Sequence, residues 1–194
     1  VTLVSTVLAA AVPALALAAP TTWNVDSSHT QTMFGVKHLV ISTVKGQFGK
    51  TAGVVTLDDA DPAKSRVEAT IDVASVNTRE PMRDDHLRSP DFFDAAKYPT
   101  ITFKSTKVEK GAAGKLKVTG DLTMRGVTKP ITLDVTGPTA EIKDPQGNAR
   151  RGLSASGTLN RKDFGMTWSK AVEAGQVVGD DIAIEIEAEI VKAK

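Results

Sequence analysis

Residues 79–103 read REPMRDDHLRSPDFFDAAKYPTITF, a dense and irregular stretch between two runs of strict two-residue alternation. A proline begins each half of the stretch, and Pro81 and Pro90 are both favourable first residues of a helix. The Tyr98-Pro99 step disfavours further helix. We therefore predict two short helical turns, residues 81–88 and 90–96, inserted into a chain that is otherwise β.

The charges of this stretch are concentrated in residues 83–88, and such clusters are usually structural or solvated. We predict a structural polar cluster in which Arg83, Asp85 and Arg88 pair with one another. The full set of predicted members is Arg83, Asp84, Asp85, His86 and Arg88. The apolar side chains beside them would press the segment onto one end of a β structure.

The flanking segments alternate between apolar and polar residues, as residues 65–73 (SRVEATIDV) show without a fault. This period is typical of strands with one buried face. Similar runs occupy residues 30–38, 46–57, 100–108, 115–125, 152–160 and 181–191. Residues 39–45 break the pattern and are predicted to form a turn or a short helical crossing. About eight long strands without crossover helices indicate an antiparallel barrel, because closure buries the apolar face and removes the edges.

Periodicity alone does not distinguish a filled barrel from a hollow one. Small residues are frequent on the predicted inner faces, and aromatic residues make up only 5% of the chain. A filled barrel needs more bulk to reach the packing density of a protein interior. The small inner residues are Gly53, Ala69, Gly120, Ala155, Gly157 and Ala188. Their number favours a hollow.

Several blocks resemble the YceI-like family of bacterial periplasmic lipid-binding proteins. The most specific is TREPMRDDHLRSPDFFDAAKYPTITFKS, at residues 78–105. In the family's order, the others are HTQTMFGVKHLVISTVKGQFG, VTGDLTMRGVTKPITLDV, LNRKDFGMTW and GDDIAIEIEAEI. The resemblance covers about residues 23–191. It implies a lipocalin-like barrel that holds a polyisoprenoid, an isoprenoid quinone or a similar long amphiphile for transport or storage.

If the barrel is hollow, inward residues of the strands and of the irregular segments should form one continuous apolar wall. The predicted ligand-binding residues are Phe34, Val36, Ile71, Val73, Phe92, Phe93, Phe103, Leu122, Leu133, Leu159, Met166, Trp168, Ile184 and Ile186. The alternative is a filled barrel that acts in a stress response or an interaction and has no physiological small ligand.

The chain has 194 residues, which suits one barrel domain at residues 19–194. Residues 1–18 carry no charge and end in Ala16-Leu17-Ala18, the small-x-small pattern that precedes a signal-peptidase site. We therefore expect a signal peptide at residues 1–18, export to the periplasm, and cleavage after Ala18. Neither a disulfide nor a thiol nucleophile is available, because the chain has no cysteine.

Catalytic and metal-binding motifs are missing from the sequence. Its three histidines, His29, His38 and His86, have no compact metal-ligand spacing, and Gly-x-Ser-x-Gly is absent. We predict no enzyme activity, no metal and no cofactor. A formal net charge of +1 with interspersed signs gives no reason to expect nucleic acid. The sequence leaves open a transient contact with the membrane or with a membrane redox protein. It also leaves open a homodimer.

Overall fold

A computed structural model describes residues 19–172 and 175–194. The expected signal peptide at residues 1–18 lies outside the described residues. Within them the helix α1 spans Pro81–Arg88. The strands are β1 (Thr21–Val25), β2 (Gln31–His38), β3 (Ser42–Phe48), β4 (Thr51–Leu57), β5 (Arg66–Asp72), β6 (Val76–Asn77), β7 (Thr100–Lys110), β8 (Leu116–Met124), β9 (Val127–Thr136), β10 (Ile142–Lys143), β11 (Ala149–Asn160), β12 (Ala171–Val172), β13 (Gly175–Gln176) and β14 (Val178–Lys192).

Eight of these strands form a closed antiparallel barrel. Around the ring the order is β1, β4, β5, β7, β8, β9, β11 and β14, and the pairing of β14 with β1 completes the circle. The hairpin of β2 and β3 continues the sheet beside β14, next to β1. The predicted all-β, eight-stranded antiparallel barrel is confirmed.

Alternation along each strand separates an inner from an outer face, as β14 illustrates. Glu185 and Glu187 are exposed, whereas the intervening Ile184 and Ile186 are half-buried and Ile190 is fully buried. Successive side chains of a strand point to opposite faces. The β14 strand therefore presents isoleucines to the interior along its whole length.

The two ends of the barrel are built differently. We call the first the loop end, because connections at residues 58–65, 111–115 and 137–148 surround it. We call the second the covered end, because α1 and residues 89–98 and 161–168 lie across it. A core cluster that includes Trp23 and Ile190 belongs to the loop end, and a larger cluster that includes Phe48 and Phe164 belongs to the covered end.

The prediction for the irregular stretch is confirmed in its first half. Helix α1 has the predicted bounds, and its cap Glu80 accepts a hydrogen bond from the backbone N–H of Met82. Residues 90–96 form hydrogen-bonded turns instead of the predicted second helical turn. The backbone N–H groups of Phe93 and Asp94 donate back to Leu87 and Ser89, and Asp94 has a positive φ of 51°, which stops helix propagation.

The prediction for residues 39–45 is wrong in its second half, because β3 begins at Ser42. The turn is confined to residues 39–41 and is closed by the N–H of Ile41, which donates to the carbonyl of His38 at 3.2 Å. Leu39 and Val40 have φ values of 51° and 65°. Such turns usually contain Asn or Gly, so neither residue signals the hairpin that forms.

Candidate binding cavity

A single large cavity of about 810 Å³ runs through the barrel interior of the described chain. Most of the residues that line it are aliphatic or aromatic side chains from the inner faces of the strands. Pockets for small ligands usually have about 300–1,000 Å³ and predominantly apolar walls. The cavity therefore has the size and the chemistry of a binding site for an apolar molecule.

Twelve of the fourteen predicted wall residues line this cavity. They are Phe34, Val36, Ile71, Phe92, Phe93, Phe103, Leu122, Leu133, Leu159, Met166, Ile184 and Ile186. The strand residues among them are found by alternation. The residues of the irregular segments, Phe92, Phe93 and Met166, reach the cavity because their segments fold across the covered end. Whether these residues bind a ligand stays a prediction.

The other two predicted residues, Val73 and Trp168, lie outside the lining. Val73 follows the end of β5, where the carboxylate of Asp72 caps a 3-10 turn by accepting from the N–H of Ala74. This turn rotates Val73 into the packed core of the covered end. Trp168 packs edge-on against the ring of His86, with the ring centroids 4.8 Å apart.

The inference from small residues is correct for the alanines and wrong for the glycines. Ala69, Ala155 and Ala188 line the cavity. At Gly120 an added Cβ would overlap the ring of Phe103. At Gly157 it would lie 2.7 Å from a Cδ atom of Leu133, and at Gly53 it would lie 2.6 Å from the carbonyl oxygen of Glu68. Neighbouring atoms therefore occupy the space that the glycines leave.

Three buried threonines, which the predicted set of ligand-binding residues did not include, give the wall a polar spot. Thr30, Thr32 and Thr51 line the cavity, and the hydroxyls of Thr32 and Thr51 are 2.9 Å apart. Thr30 and Thr32 are two residues apart and share the inward face of β2 and its approach. Alternation alone would have identified these two as lining residues.

At the loop end the lining becomes charged. Lys110 and Lys115 contribute to it from the two sides of the β7–β8 connection. Arg151 donates two hydrogen bonds to the carboxylate of Asp59, at 2.7 and 2.9 Å, and its guanidinium lies 5.2 Å from the ring centre of Trp23. This bidentate pair lowers the pKa of Asp59 below its ordinary value. Polar groups are thus available where the cavity meets the loops.

At the covered end, Asp84 is the buried acid, with 7% of its surface exposed. Its Oδ1 accepts from the backbone N–H of Thr78 at 2.7 Å and from the Thr78 hydroxyl at 2.6 Å. Arg83 in turn donates to the hydroxyl and the carbonyl of Thr78. This network ties the first turns of α1 to the end of β6.

The remaining members of the predicted polar cluster do not form one network. Asp85 pairs with Arg88 at 3.0 Å, but 81% of the Asp85 side chain is exposed. Arg88 also donates to the carbonyls of Ala74 and Val76, so that it anchors the end of α1. His86 contacts Asp91 at 2.9 Å. The predicted pairing of Asp85 with Arg88 is present, whereas Arg83 pairs with Thr78 instead.

Two arginines that the sequence analysis did not single out hold the covered end together. Arg161 has only 2% of its surface exposed. It donates to the carbonyls of Met166, Trp168, Val178 and Gly179 and to the carboxylate of Asp180. Arg125 donates to the carbonyls of Pro90 and Gly165, both at 2.7 Å, and so joins the two covering segments. No sequence signal distinguishes them from exposed arginines, because Arg is rarely buried.

Two of the three histidines lie at or near the ends of β2, and the third, His86, lies on α1. His29 precedes β2 and His38 ends it, so about 30 Å of extended chain separates them. His29 does approach Asp26 and Glu189, with ligand atoms within 4.8 Å of one another. Arg150 occupies this group, because its Nη1 donates to Asp26 at 2.6 Å and to Glu189 at 3.1 Å. The group is therefore an ion-pair network on the outer surface of the loop end.

This network holds carboxylates in their charged form. Hydrogen bonds from Arg150 and then from His29 hold the pKa of Asp26 well below its usual range. Arg150, followed by Asn148, lowers the pKa of Asp144 to about 2. Neither carboxyl faces the cavity, so their role is to fix the loops.

Among the described helices, none is long and apolar enough to cross a membrane.

Comparison with known proteins identifies related sequences and folds. The sequence model of the YceI-like domain matches residues 23–190. Protein YceI of Escherichia coli O157:H7 is 39% identical over 162 residues, which cover 84% of this chain and 82% of that protein. The crystal structure of BcnA of Burkholderia cenocepacia has 26% sequence identity and a TM-score of 0.73, with 85% of this chain and 98% of that chain covered.

A polyisoprenoid binding domain from Saccharophagus degradans, implicated in plant cell wall breakdown, has the same fold at 17% identity. Its TM-score is 0.65, and the match covers 89% of this chain and 99% of that chain.

Proposed function

This chain belongs to the YceI-like family, and we propose that it binds one long apolar molecule inside its barrel. The observation that carries the proposal is the apolar cavity of about 810 Å³. The proposed ligand is a polyisoprenoid, an isoprenoid quinone or a similar long-chain amphiphile. The polyisoprenoid binding domain from Saccharophagus degradans supports this class because it has the same fold.

Desolvation would supply most of the affinity. An apolar chain that leaves water for this cavity contributes about 25 cal/mol for each Å² that is buried. An aliphatic wall favours neither of the two orientations of a bound apolar ligand. A few polar groups must therefore fix its orientation.

We place the polar end of the ligand at the loop end, near Lys110, Lys115 and the Arg151–Asp59 pair. The apolar end would lie against Leu87 and Phe93 at the covered end, where the wall is aromatic and aliphatic. This orientation avoids burying an unpartnered polar headgroup, which is costly.

The protein would act in the periplasm by sequestering its ligand for transport or storage, without catalysis. We expect cleavage after Ala18, because the apolar stretch of residues 1–18 ends in a small-x-small pattern. N-terminal sequencing of the protein from a periplasmic fraction should give a start at Ala19 or within a few residues of it. Retention of residues 1–17 in a membrane fraction would contradict export.

Native mass spectrometry of gently purified protein tests the binding proposal. We expect one bound amphiphile in each barrel of the unaltered chain and none in Ile184→Lys, because Ile184 lines the cavity and a charge there opposes an apolar ligand. Glu185→Lys is the matched control, because Glu185 is the next residue and is exposed on the outer face. It should retain the ligand.

Both variants must first show the circular dichroism of the folded barrel. Ligand retained in a folded Ile184→Lys variant would exclude the cavity as the site. Absence of any ligand from the unaltered chain would favour a barrel that has no physiological small ligand.

A further inference from the structure

The turn between β2 and β3 presents exposed apolar side chains at its tip. We define the hairpin tip as residues 39–41, of which Val40 is 61% exposed and Ile41 is 81% exposed. A single exposed aliphatic residue is ordinary, but two adjacent ones at the most protruding point of a hairpin are costly in water. The hairpin tip therefore has the character of a contact surface.

The backbone of the hairpin tip is strained. Leu39 and Val40 both have positive φ, which is uncommon for any residue other than glycine and is strongly disfavoured for the β-branched Val40. The N–H of Leu39 nevertheless donates to the carbonyl of Val177 at 2.9 Å, which ties the tip to the neighbouring connection. Asn or Gly would relieve this strain. Strained positions that keep an unfavourable residue often have a function.

Two exposed lysines lie on the strands that lead into the hairpin tip. Between Asp26 and Asp58 the sequence contains no Asp or Glu. Lys37 pairs with Thr43 across the hairpin, and Lys45 lies two residues further along β3, so that both exposed lysines share the outer face. These lysines place two cations behind the apolar tip.

The two acidic residues of β14 that lie nearest the hairpin tip, Asp180 and Asp181, are hydrogen-bonded. Asp180 accepts from Arg161 and Lys162, and Asp181 accepts from the amide of Asn160. The combination of an apolar tip with cations behind it fits a surface that is apolar inside and anionic outside. An anionic lipid bilayer has this arrangement.

We propose that the hairpin tip docks the protein on an anionic lipid surface, with Val40 and Ile41 inserted among the headgroups. The tip projects about 10 Å beyond Val36, which lines the cavity. His38 pairs with Val178, which also lines it. Docking would therefore bring the covered end of the barrel against the membrane. The proposal does not depend on the identity of the ligand in the cavity.

Vesicle flotation of the full chain tests the docking. Vesicles of equal parts phosphatidylethanolamine and phosphatidylglycerol should bind the unaltered protein, and vesicles of phosphatidylcholine should bind it more weakly. The double variant Val40→Ser/Ile41→Ser should bind the anionic vesicles about tenfold or more weakly. The matched control is Ile142→Ser, because Ile142 is 63% exposed but lies at the loop end. It should bind like the unaltered protein.

Residues 1–18 are identical in all of these proteins, so a difference between variants measures the tip. Removing each lysine, as in Lys37→Gln and Lys45→Gln, should weaken binding to the anionic vesicles by about fivefold and reduce its dependence on salt. Equal binding by the tip variant and the Ile142→Ser control would overturn the proposal. A dimer of the unaltered protein that is absent only from the tip variant would also overturn the proposal, because the tip would then join two copies of the chain.

Native mass spectra of the same preparations report the cavity ligand independently. A tip variant that has lost vesicle binding should still contain the ligand. An unaltered protein that binds vesicles but carries no ligand would contradict the proposed function alone.

Discussion

The two ends of this barrel close the cavity in different ways. The covered end is sealed by folded chain whose polar groups find partners inside the protein, as Asp84 and Arg161 show. The loop end is surrounded by connections that carry exposed ion pairs, such as Lys64 with Asp61. Buried polar groups are costly to disturb, whereas surface pairs contribute little.

The comparison shows which end is suited to passage of a ligand. Opening the covered end would expose buried hydrogen bonds together with Phe92 and Phe93. At the loop end the lining of the cavity includes the long, flexible side chains of Lys110 and Lys115. We therefore expect stability to depend mainly on the covered end. The loop end should govern access and show the stronger response to pH.

The largest effect is expected from Asp84→Ala at the covered end. The substitution leaves the N–H and hydroxyl of Thr78 without their buried acceptor. We expect a loss of about 3 kcal/mol in the free energy of unfolding, measured by guanidinium denaturation.

Asp85→Ala is the matched control on the same helix. Because the Asp85 side chain is 81% exposed, its removal should cost less than about 1 kcal/mol. A loss below about 1 kcal/mol in both variants would show that the charges of α1 are merely solvated and do not fix the covered end.

A second substitution tests the wall between the two ends. In Gly120→Ala the new methyl group would overlap the ring of Phe103, and we expect a cost of about 1–3 kcal/mol from overpacking. The control Gly152→Ala adds a methyl group only in ordinary contact with Thr139. It should change stability by less than about 0.5 kcal/mol. A neutral Gly120→Ala would contradict overpacking at this position.

The smallest effect concerns acid and the loop end. The pKa of Asp144 lies at about 2 in the folded protein, below its ordinary value of 3.8. Its stabilising contribution is therefore complete above about pH 4 and is lost as the pH falls toward 2. Asp144→Asn should be less stable than the unaltered protein at pH 7, and the difference should disappear near pH 2.

Urea denaturation at several pH values measures this difference. Asp134→Asn is the control, because Asp134 pairs with Lys117 at an exposed position and should matter by less than about 1 kcal/mol throughout. If the difference in stability between Asp144→Asn and the unaltered protein persisted at pH 2, the effect would come from the changed side-chain shape and not from the lost charge.

Much of the fold was predictable because its signals are local. Alternation identified the long strands, and Pro81 marked the first residue of α1. The tight hairpin turn at residues 39–41, with β3 beginning at Ser42, was not recognised within the predicted turn or crossing at residues 39–45, because Leu39 and Val40 adopt a conformation that their residue types disfavour. The pairing of β2 with β3 offsets this cost, and that pairing is not visible in the turn itself.

Alternation predicted which face of each strand lines the cavity, but it did not predict how deeply each side chain is buried. Alternation assigned Leu122 and Ile184 to the interior, where they line the cavity. It could not show that Phe103 fills the space beside Gly120. Nor could it decide between Asp84 and Asp85, which are adjacent on a helix. Only the packing of α1 against Thr78 buries the first of them.

The central claim is that the barrel is hollow in order to hold an apolar ligand, and Ala155→Trp tests it most directly. Ala155 lines the cavity, whereas the neighbouring Ser156 is exposed and provides the control Ser156→Trp. Bound lipid is measured by native mass spectrometry, and stability is measured on the lipid-free proteins. We predict that Ala155→Trp loses the lipid with a change in stability below about 1 kcal/mol, and that Ser156→Trp retains it. Unaltered protein without lipid, together with an Ala155→Trp variant destabilised by about 1–3 kcal/mol or more, would contradict the claim.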